Sequence, residues 1–260
     1  MNAVAQAAAR LRDAEQALVP CAPVRDLLGD GDVEAAYAVQ RVNHELRFAA
    51  GARLIGRKIG LTSEAVQRQL GVGQPDSGYL FGDMAVVDGT VPPGRLLQPR
   101  VEAEIAFWLA RDVPGAVAST DDVLAAIDSA VAAIEIVDSR IAGWDISIVD
   151  TVADNASSGM FVVSEHRVDP TELDLLGVAM SMSRNDEVVS TGSGAACLGN
   201  PLNAVLWLAQ TSARLGRPLR AGELVLSGAL GPLVPVGPGD DVRAEITGLG
   251  PVRVAFGGEE

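Results

Sequence analysis

Cysteine and aromatic residues are scarce in this sequence of 260 residues. It has two cysteines, Cys21 and Cys197, which lie far apart and outside any C-x-x-C motif, and aromatic residues make up 4% of the chain. These numbers exclude a disulfide framework of the kind that staples small secreted domains. Apolar runs of membrane-spanning length are also lacking. The Ala-rich start, Met1 to Val19, carries charges typical of an amphipathic helix rather than a signal peptide. We therefore expect a cytoplasmic protein with reduced thiols.

Basic residues form the second shortage. Lysine and arginine number 20 against 34 aspartates and glutamates, and the formal net charge is −14. Nucleic-acid backbones and anionic membrane surfaces attract basic proteins, so we expect neither as a partner. An anionic small-molecule substrate would need local positive charge, from a bound metal ion or from selected lysine and arginine side chains.

Three glutamates occur inside apolar, strand-like runs. Glu102 and Glu104 lie in Arg100-Val-Glu-Ala-Glu-Ile-Ala-Phe, and Glu135 lies in Ala133-Ile-Glu-Ile-Val-Asp. Side chains alternate along a strand, so the first two glutamates share a face, where they repel unless a positive charge lies between them. Three carboxylates suit Mg²⁺ or Mn²⁺. The alternative is a solvated strand face on which Arg100 pairs with the glutamates.

The pattern along the chain predicts an α+β fold, with a helical region at residues 1–52 and a β-rich body at residues 53–260. Leu54 to Leu61 is predicted to be a strand, and Gly71 to Gly82 a turn-rich loop. Strands are further predicted within 86–109, around Glu135, at 160–164, in a hairpin at 175–191, and in short segments after residue 224. Helices are predicted at 2–19, at 32–50, from Ser63 to Leu70, from Thr120 through Ile127 and Ala130, and from Asn200 to about Gly216.

Six motifs give the chain a resemblance to the fumarylacetoacetate hydrolase superfamily, from about residue 24 to residue 256. They are Gly56-Arg-Lys-Ile-Gly-Leu-Thr-Ser, Gln69-Leu-Gly-Val-Gly-Gln-Pro-Asp-Ser-Gly-Tyr-Leu-Phe, Gln98-Pro-Arg-Val-Glu-Ala-Glu-Ile-Ala-Phe, Asp150-Thr-Val-Ala-Asp-Asn-Ala-Ser, Leu198-Gly-Asn-Pro-Leu-Asn-Ala and Leu226-Ser-Gly-Ala-Leu-Gly-Pro. The resemblance implies an N-terminal helical region, a mixed, barrel-like β roll and a homo-oligomer. It also implies that Glu102, Glu104 and Glu135 bind Mg²⁺ or Mn²⁺.

The motifs are most similar to those of the hydratase branch. That resemblance implies hydration of 2-hydroxypenta-2,4-dienoate to 4-hydroxy-2-oxopentanoate in the meta-cleavage catabolism of aromatic compounds. A sister branch, which decarboxylates 4-oxalocrotonate, shares the lysine and two of the motifs, but Val152-Ala-Asp-Asn-Ala-Ser-Ser and Ser227-Gly-Ala-Leu-Gly-Pro favour the hydratases. Asn200 departs from the histidine usual in hydratases, although asparagine is a good helix cap. A third hypothesis is a non-catalytic partner subunit of a downstream aldolase, which would predict a damaged site.

The resemblance also indicates catalytic roles for Lys58 and Asp76. Lys58 lies between apolar residues, so desolvation is expected to favour its neutral, proton-handling form. The alternative is that Lys58 pairs with Asp76 or a glutamate and stays charged. Asp76, in Pro-Asp-Ser-Gly, is either a turn-forming residue or a general base that orients the attacking water.

Four further residues are predicted to contact the substrate. Asn155 and Ser157 would bind its carboxylate or the water, with loop capping as the alternative. Ser227 and Gly228 would lie beside its tail, with strand-end turn chemistry as the alternative. The remaining candidates are interpreted as structural or surface residues: Arg57, His44 and His166.

Overall fold

The structure is a computed structural model, which describes residues 2–114 and 119–258. Its α+β class, with helices set against mixed sheets, confirms the class expected from the sequence. Within these two ranges, no helix combines the length and apolar character needed to cross a membrane.

The N-terminal segment is helical, because short polar residues cap stretches with apolar residues at helical spacing. Asn2 and Asp32 accept hydrogen bonds from the backbone N–H groups of Ala5 and Ala35 and so begin the two longer helices. The three helices of this segment are α1 (Ala3–Ala17), α2 (Arg25–Leu28) and α3 (Val33–Ala49). They all precede the first strand, but their apolar faces share a core cluster with later residues, Val149 and Leu233 among them. The division into regions 1–52 and 53–260 stays a prediction.

A curled sheet of seven strands carries the candidate site. Its strands are β1 (Leu54–Gly60), β2 (Asp76–Phe81), β4 (Pro99–Leu109), β5 (Ile127–Asp138), β6 (Ser158–Val163), β9 (Leu224–Ala229) and β10 (Val234–Pro235). They follow the order β2-β1-β9-β4-β5-β6, with β10 on β4. The β1–β9 pair is parallel and the other pairs are antiparallel.

A second sheet of five strands packs against the first through the main apolar core. Its strands are β3 (Thr90–Val91), β7 (Ala179–Arg184), β8 (Glu187–Ser193), β11 (Asp241–Ile246) and β12 (Gly250–Phe256). They follow the order β3-β12-β11-β7-β8. Because side chains alternate along β4, Val101, Ala103 and Ile105 enter this core, whereas Glu102 and Glu104 face the inside of the curled sheet.

The remaining helices are α4 (Glu64–Leu70), α5 (Thr120–Leu124), α6 (Ile148–Ala153) and α7 (Pro201–Arg214). The capping predictions at Ser63 and Asn200 are confirmed, since both side chains accept a backbone N–H at a helix start.

Two predictions of secondary structure were wrong. The helix after Thr120 ends at Leu124, and the segment with Ile127 and Ala130 belongs to β5, because it pairs with β4 over most of that strand's length. The predicted loop at 71–82 contains β2, which pairs with β1 from Asp76 onward.

Candidate active site

The three predicted glutamates lie together inside the curled sheet. Glu102 lies directly opposite Glu135 in the β4–β5 pair, and Glu104 follows on the same face of β4. One carboxylate oxygen from each residue lies within 4.8 Å of the other two, and the residues are 3%, 0% and 0% exposed. The expected cluster is therefore present, and it is buried rather than on a solvated strand face.

The oxygens of this cluster have too few donors from the protein. Glu104 Oε2 accepts a hydrogen bond of 2.6 Å from the backbone N–H of Gly228. In the described ranges of the chain, Glu104 Oε1 and Glu135 Oε2 have no hydrogen-bond partner. Buried polar atoms are normally paired, so unpaired ones indicate a group that binds there. An all-oxygen donor set of three carboxylates fits a divalent cation of the Mg²⁺ type.

The ionisation of the cluster is strongly perturbed. Burial raises the pKa of Glu102 to about 8, and the neighbouring charge of Glu135 adds to this effect. Burial and the charges of Glu135 and Glu102 raise the pKa of Glu104 well above its ordinary value. Burial also raises the pKa of Glu135, although Lys58 opposes it. Without a metal ion the cluster therefore retains protons at neutral pH, and a cation would replace those protons.

Lys58 supplies the positive charge nearest to the cluster. It is the only lysine in the sequence, and it is 1% exposed. Its Nζ lies 3.1 Å from Glu135 Oε1. Burial alone would lower the pKa of Lys58, but Glu135 and three further carboxyl groups raise it above its ordinary value. These contacts favour the alternative in which Lys58 pairs with a glutamate and stays charged, because the apolar neighbours in sequence do not reveal the carboxylates that meet it in space.

Asp76 starts β2 on the side of β1 where Lys58 lies, opposite Gly60. Its Oδ2 accepts a 2.6 Å hydrogen bond from the Thr151 hydroxyl of α6, whereas its Oδ1 has no partner in the described part of the chain. A Cβ at Gly60 would lie 2.3 Å from that Oδ1, so a glycine is needed there. Burial raises the pKa of Asp76, with Lys58 opposing. Asp76 is thus a strand residue with one fixed and one free oxygen.

Asn155 is engaged by the protein itself. Its side chain accepts a hydrogen bond of 2.7 Å from Tyr79 N–H and donates one of 2.9 Å to the Tyr79 carbonyl. His44 Nε2 lies 2.9 Å from the same Asn155 oxygen, and its ring stacks on that of Tyr79. Burial lowers the pKa of His44 to about 3, so this neutral ring donates from Nε2. These contacts favour the capping alternative for Asn155. The prediction of a surface His44 was wrong.

Ser157 and Ser158 offer two buried hydroxyl groups. Both are at most 5% exposed, and neither oxygen has a hydrogen-bond partner among the residues described. A Cβ at Gly78 would lie 2.9 Å from Ser158 Oγ, which places this hydroxyl over the residue that pairs with Lys58. Sequence reasoning singled out Ser157 but missed Ser158. The adjacent position in the Asp-Asn-Ala-Ser-Ser run was the available signal.

The β9 residues predicted to contact substrate also make protein contacts. The Ser227 hydroxyl donates a 2.7 Å hydrogen bond to the Ile105 carbonyl, which favours its structural alternative. The Gly228 N–H binds Glu104, so this residue supports a predicted metal ligand. Gly228 has a φ of +111°, and a Cβ on it would lie 2.1 Å from Thr62 Oγ1. Both observations require glycine at this position.

Arg57 lies on the face of β1 opposite to Lys58, as the alternation of the strand predicts. Its guanidinium donates to the carbonyls of Arg217 and Pro218 and pairs with Glu223, at 3% residue exposure. These contacts tie β1 to the segment before β9 and agree with a structural role. His166 is exposed on a loop.

Comparison with known proteins assigns the chain to a family. The family model described as fumarylacetoacetate (FAA) hydrolase C-terminal matches residues 57–256. A 2-keto-4-pentenoate hydratase of Paraburkholderia xenovorans (strain LB400) is 55% identical over 252 residues, which cover 96% of this chain and 94% of the relative. The TodF product hydratase of Pseudomonas putida (strain F1) is 56% identical over 256 residues, which cover 98% and 96%.

A solved structure agrees over almost the whole chain. The 4-oxalocrotonate decarboxylase from Pseudomonas putida G7, complexed with magnesium and adipate, superposes with a TM-score of 0.91 at 35% identity and covers 97% of both chains. Identity to the two hydratases is therefore about 20 percentage points higher than identity to the decarboxylase. These matches show that the chain belongs to the fumarylacetoacetate hydrolase family and that it is a hydro-lyase.

Proposed function

We propose that this hydro-lyase hydrates 2-hydroxypenta-2,4-dienoate (2-keto-4-pentenoate) to 4-hydroxy-2-oxopentanoate in aromatic meta-cleavage catabolism. The observation that carries the proposal is the buried carboxylate cluster of Glu102, Glu104 and Glu135, with unpaired oxygens beside Lys58 and Asp76. A 2-oxo acid is an anion, and the chain has few basic residues with which to bind one. A site that combines a cation with a buried lysine meets this need.

Glu102, Glu104 and Glu135 are the residues that would hold the cation. When bound, a divalent ion supplies a Lewis acid that stabilises negative charge on the 2-oxygen of the substrate. Lys58 contributes a second positive charge on the same side of the sheet, and its contact with Glu135 fixes the direction of its ammonium group. We assign Lys58 to substrate orientation and proton transfer. Mg²⁺ and Mn²⁺ are the proposed ions, because hard carboxylate oxygens suit both.

The reaction requires two proton transfers to carbon. The 2-hydroxyl proton is released as C5 gains a proton, which converts the dienol into an α,β-unsaturated ketone. Water then adds at C4 with loss of a proton, and C3 gains one, so the sum is the addition of one water molecule. Asp76 suits these transfers, since Thr151 fixes one oxygen and leaves the other free to exchange a proton. The buried Ser157 and Ser158 hydroxyls are proposed to orient the substrate or the water.

Decarboxylation of a 4-oxalocrotonate-type acid is the second candidate. The close structural likeness to a decarboxylase favours it, because a cation held by the same carboxylate cluster would supply a Lewis acid for the negative charge that loss of carbon dioxide leaves on the substrate. The higher identity to hydratases favours hydration. We also propose a homo-oligomer, as the family resemblance implies. The pairing with a downstream aldolase stays a prediction, and the undamaged cluster argues against a purely non-catalytic subunit.

Loss of ultraviolet absorbance by 2-hydroxypenta-2,4-dienoate tests the proposal directly. We expect turnover with Mg²⁺ or Mn²⁺, no turnover in EDTA, and at least a roughly 100-fold lower kcat for Glu104→Gln, which keeps the shape but removes a ligand charge. Glu245→Gln, at an exposed glutamate of β11, is the matched control and should keep wild-type activity. Release of carbon dioxide from 4-oxalocrotonate, without bleaching of the dienoate, would instead establish the second candidate.

A further inference from the structure

Three consecutive residues before β6 adopt a left-handed backbone. The φ angles of Asn155, Ala156 and Ser157 are 55°, 53° and 52°. Each non-glycine residue in this region costs about 1 kcal/mol or more, because Cβ approaches the following carbonyl oxygen. A run of three such residues persists only where surrounding contacts impose it. The contacts around this turn therefore indicate what the turn is for.

Arg140 is buried, at 7% exposure, and forms hydrogen bonds with the backbone at both ends of the turn at 155–157. Its Nη1 donates a hydrogen bond of 2.8 Å to the Ser158 carbonyl, just after the turn, and Nη2 donates to the Asp154 carbonyl, just before it. Nη1 also donates to the Asp138 carbonyl at the end of β5. The Asp154 carboxylate holds the guanidinium through Nε at 2.5 Å. A planar guanidinium is the one side chain that can bind several carbonyls in fixed directions at once.

The inner side of the turn rests on β2. A Cβ at Gly78 would lie 2.3 Å from the Asn155 carbonyl oxygen, so the missing side chain lets the turn lie directly on the strand. The Asn155 side chain binds both backbone groups of Tyr79. The turn is thus held between β2 and Arg140. It carries the unpaired hydroxyl of Ser157 and leads directly to that of Ser158, which lies beside Gly78, the strand partner of Lys58.

We propose that Arg140 is a positioning residue that holds the left-handed turn and thereby places the Ser157 and Ser158 hydroxyls in the active site. This inference rests on the proposed hydration, since those hydroxyls act on its substrate or water. The recorded hydrogen bonds of the Arg140 guanidinium all go to protein atoms. A displacement of about 1 Å in such a group lowers the rate of reaction about 100-fold. The arginine therefore acts on turnover through the geometry of the turn rather than through charge near the metal ligands.

Arg140→Lys tests whether the arginine holds the turn, because lysine keeps the charge but cannot bind the carbonyls of Asp154 and Ser158 in the same plane. We expect kcat to fall by about 10- to 100-fold, while KM and the Kd for Mn²⁺, measured by calorimetry, change less than about threefold. Arg57→Lys is the matched control, since Arg57 is also a buried arginine that binds two carbonyls and a carboxylate, on the opposite face of β1. It should show a comparable fall in Tm with kcat within about twofold of wild type. Equal losses of kcat in both variants would overturn the proposal.

A second substitution separates positioning from general loss of stability. Glycine tolerates positive φ, so Ala156→Gly lowers the intrinsic cost of the turn. Alone, Ala156→Gly should leave kcat near that of the wild type. The double variant Ala156→Gly/Arg140→Lys should have a kcat at least about threefold higher than that of Arg140→Lys alone. Failure to restore any kcat counts against the turn as the link between Arg140 and the chemistry.

Amide hydrogen exchange tests whether Arg140 holds the turn, without reference to turnover. We expect the peptide spanning 154–159 to exchange at least about tenfold faster in Arg140→Lys than in wild type or in Arg57→Lys. Unchanged exchange overturns the inference, whatever the substrate is. Conversely, a wild-type protein that does not bleach the dienoate defeats the proposed function, while faster exchange in the variant would still establish that Arg140 holds the turn.

Discussion

Neutralising one of the proposed metal ligands should stabilise the protein when no metal is bound. Glu102 is 3% exposed and lies against two other carboxyl groups. Burial raises its pKa from 4.5 to about 8. A carboxyl whose pKa is raised in the folded state binds more protons there than in the unfolded state, so stability falls as pH rises between the two values. Glu102→Gln keeps the size of the side chain and removes this ionisation. The stability of the variant should therefore not fall in this way as pH rises.

The size of the stabilisation by Glu102→Gln follows from the span of pH over which the folded wild type retains the Glu102 proton and the unfolded chain does not. From 4.5 to 7 is 2.5 pH units, and at about 1.4 kcal/mol per unit the loss of stability at pH 7 is about 3 to 4 kcal/mol. This is an upper limit, since the remaining carboxyl groups redistribute their protons when one is removed. For a protein of this length, about 3 kcal/mol corresponds to a rise in Tm of about 5–10 °C. At pH 5 the difference in the free energy of unfolding between the variant and the wild type should shrink to below about 1 kcal/mol.

Thermal unfolding in EDTA at pH 5, 7 and 8 measures the effect, with Glu245→Gln as the control at an exposed glutamate. The control should remain within about 0.5 kcal/mol of wild type at each pH. Saturating Mn²⁺ should then reverse the order, because it stabilises the wild type and binds Glu102→Gln poorly. A metal-free variant that is no more stable than wild type at pH 7, or a difference that does not grow with pH, would refute the reasoning.

Three further substitutions probe the surroundings of the glutamate cluster. Lys58→Met leaves Glu135 without its ion-pair partner and should lower the free energy of unfolding of the metal-free protein by about 3–5 kcal/mol in urea titrations; a loss below about 1 kcal/mol would contradict the buried ion pair. Gly228→Ala should cost about 1–3 kcal/mol and weaken Mn²⁺ binding in calorimetry, because it strains the backbone whose N–H holds Glu104. Thr151→Val frees the second oxygen of Asp76 and should raise the pKa of that carboxyl, seen as an alkaline shift of the acidic limb of the pH profile for kcat; an unshifted limb would remove Thr151 from that role.

The sequence was sufficient where local pattern determines structure. Alternation along one strand placed Glu102 and Glu104 on the same face, and the capping serine and asparagine located the starts of α4 and α7. It was insufficient after Thr120, where the spacing of Ile127 and Ala130 also fits a buried strand. The long pairing of β5 with β4 decides in favour of the strand, and that is a tertiary effect.

The site contains residues whose roles depend on distant partners. The charge state of Lys58 is set by carboxyl groups from three other strands, and none of them is adjacent to it in sequence. His44 has the sequence context of a surface helix residue, but Tyr79 and Asn155 cover it. Arg140 resembles any arginine at a strand end until the turn at 155–157 is seen beside it. Such roles follow from the assembled sheet and have no local signal.

The position of β9 in the sheet has a consequence for biosynthesis. Lys58 and Asp76 come from the β1–β2 hairpin, the three glutamates come from the β4–β5 hairpin, and β9 lies between the two hairpins. A nascent chain shorter than about 224 residues therefore holds both hairpins without the strand that joins them. The lysine meets the acidic cluster only late in translation, so the costly burial of these charges is deferred until most of the sheet has been synthesised.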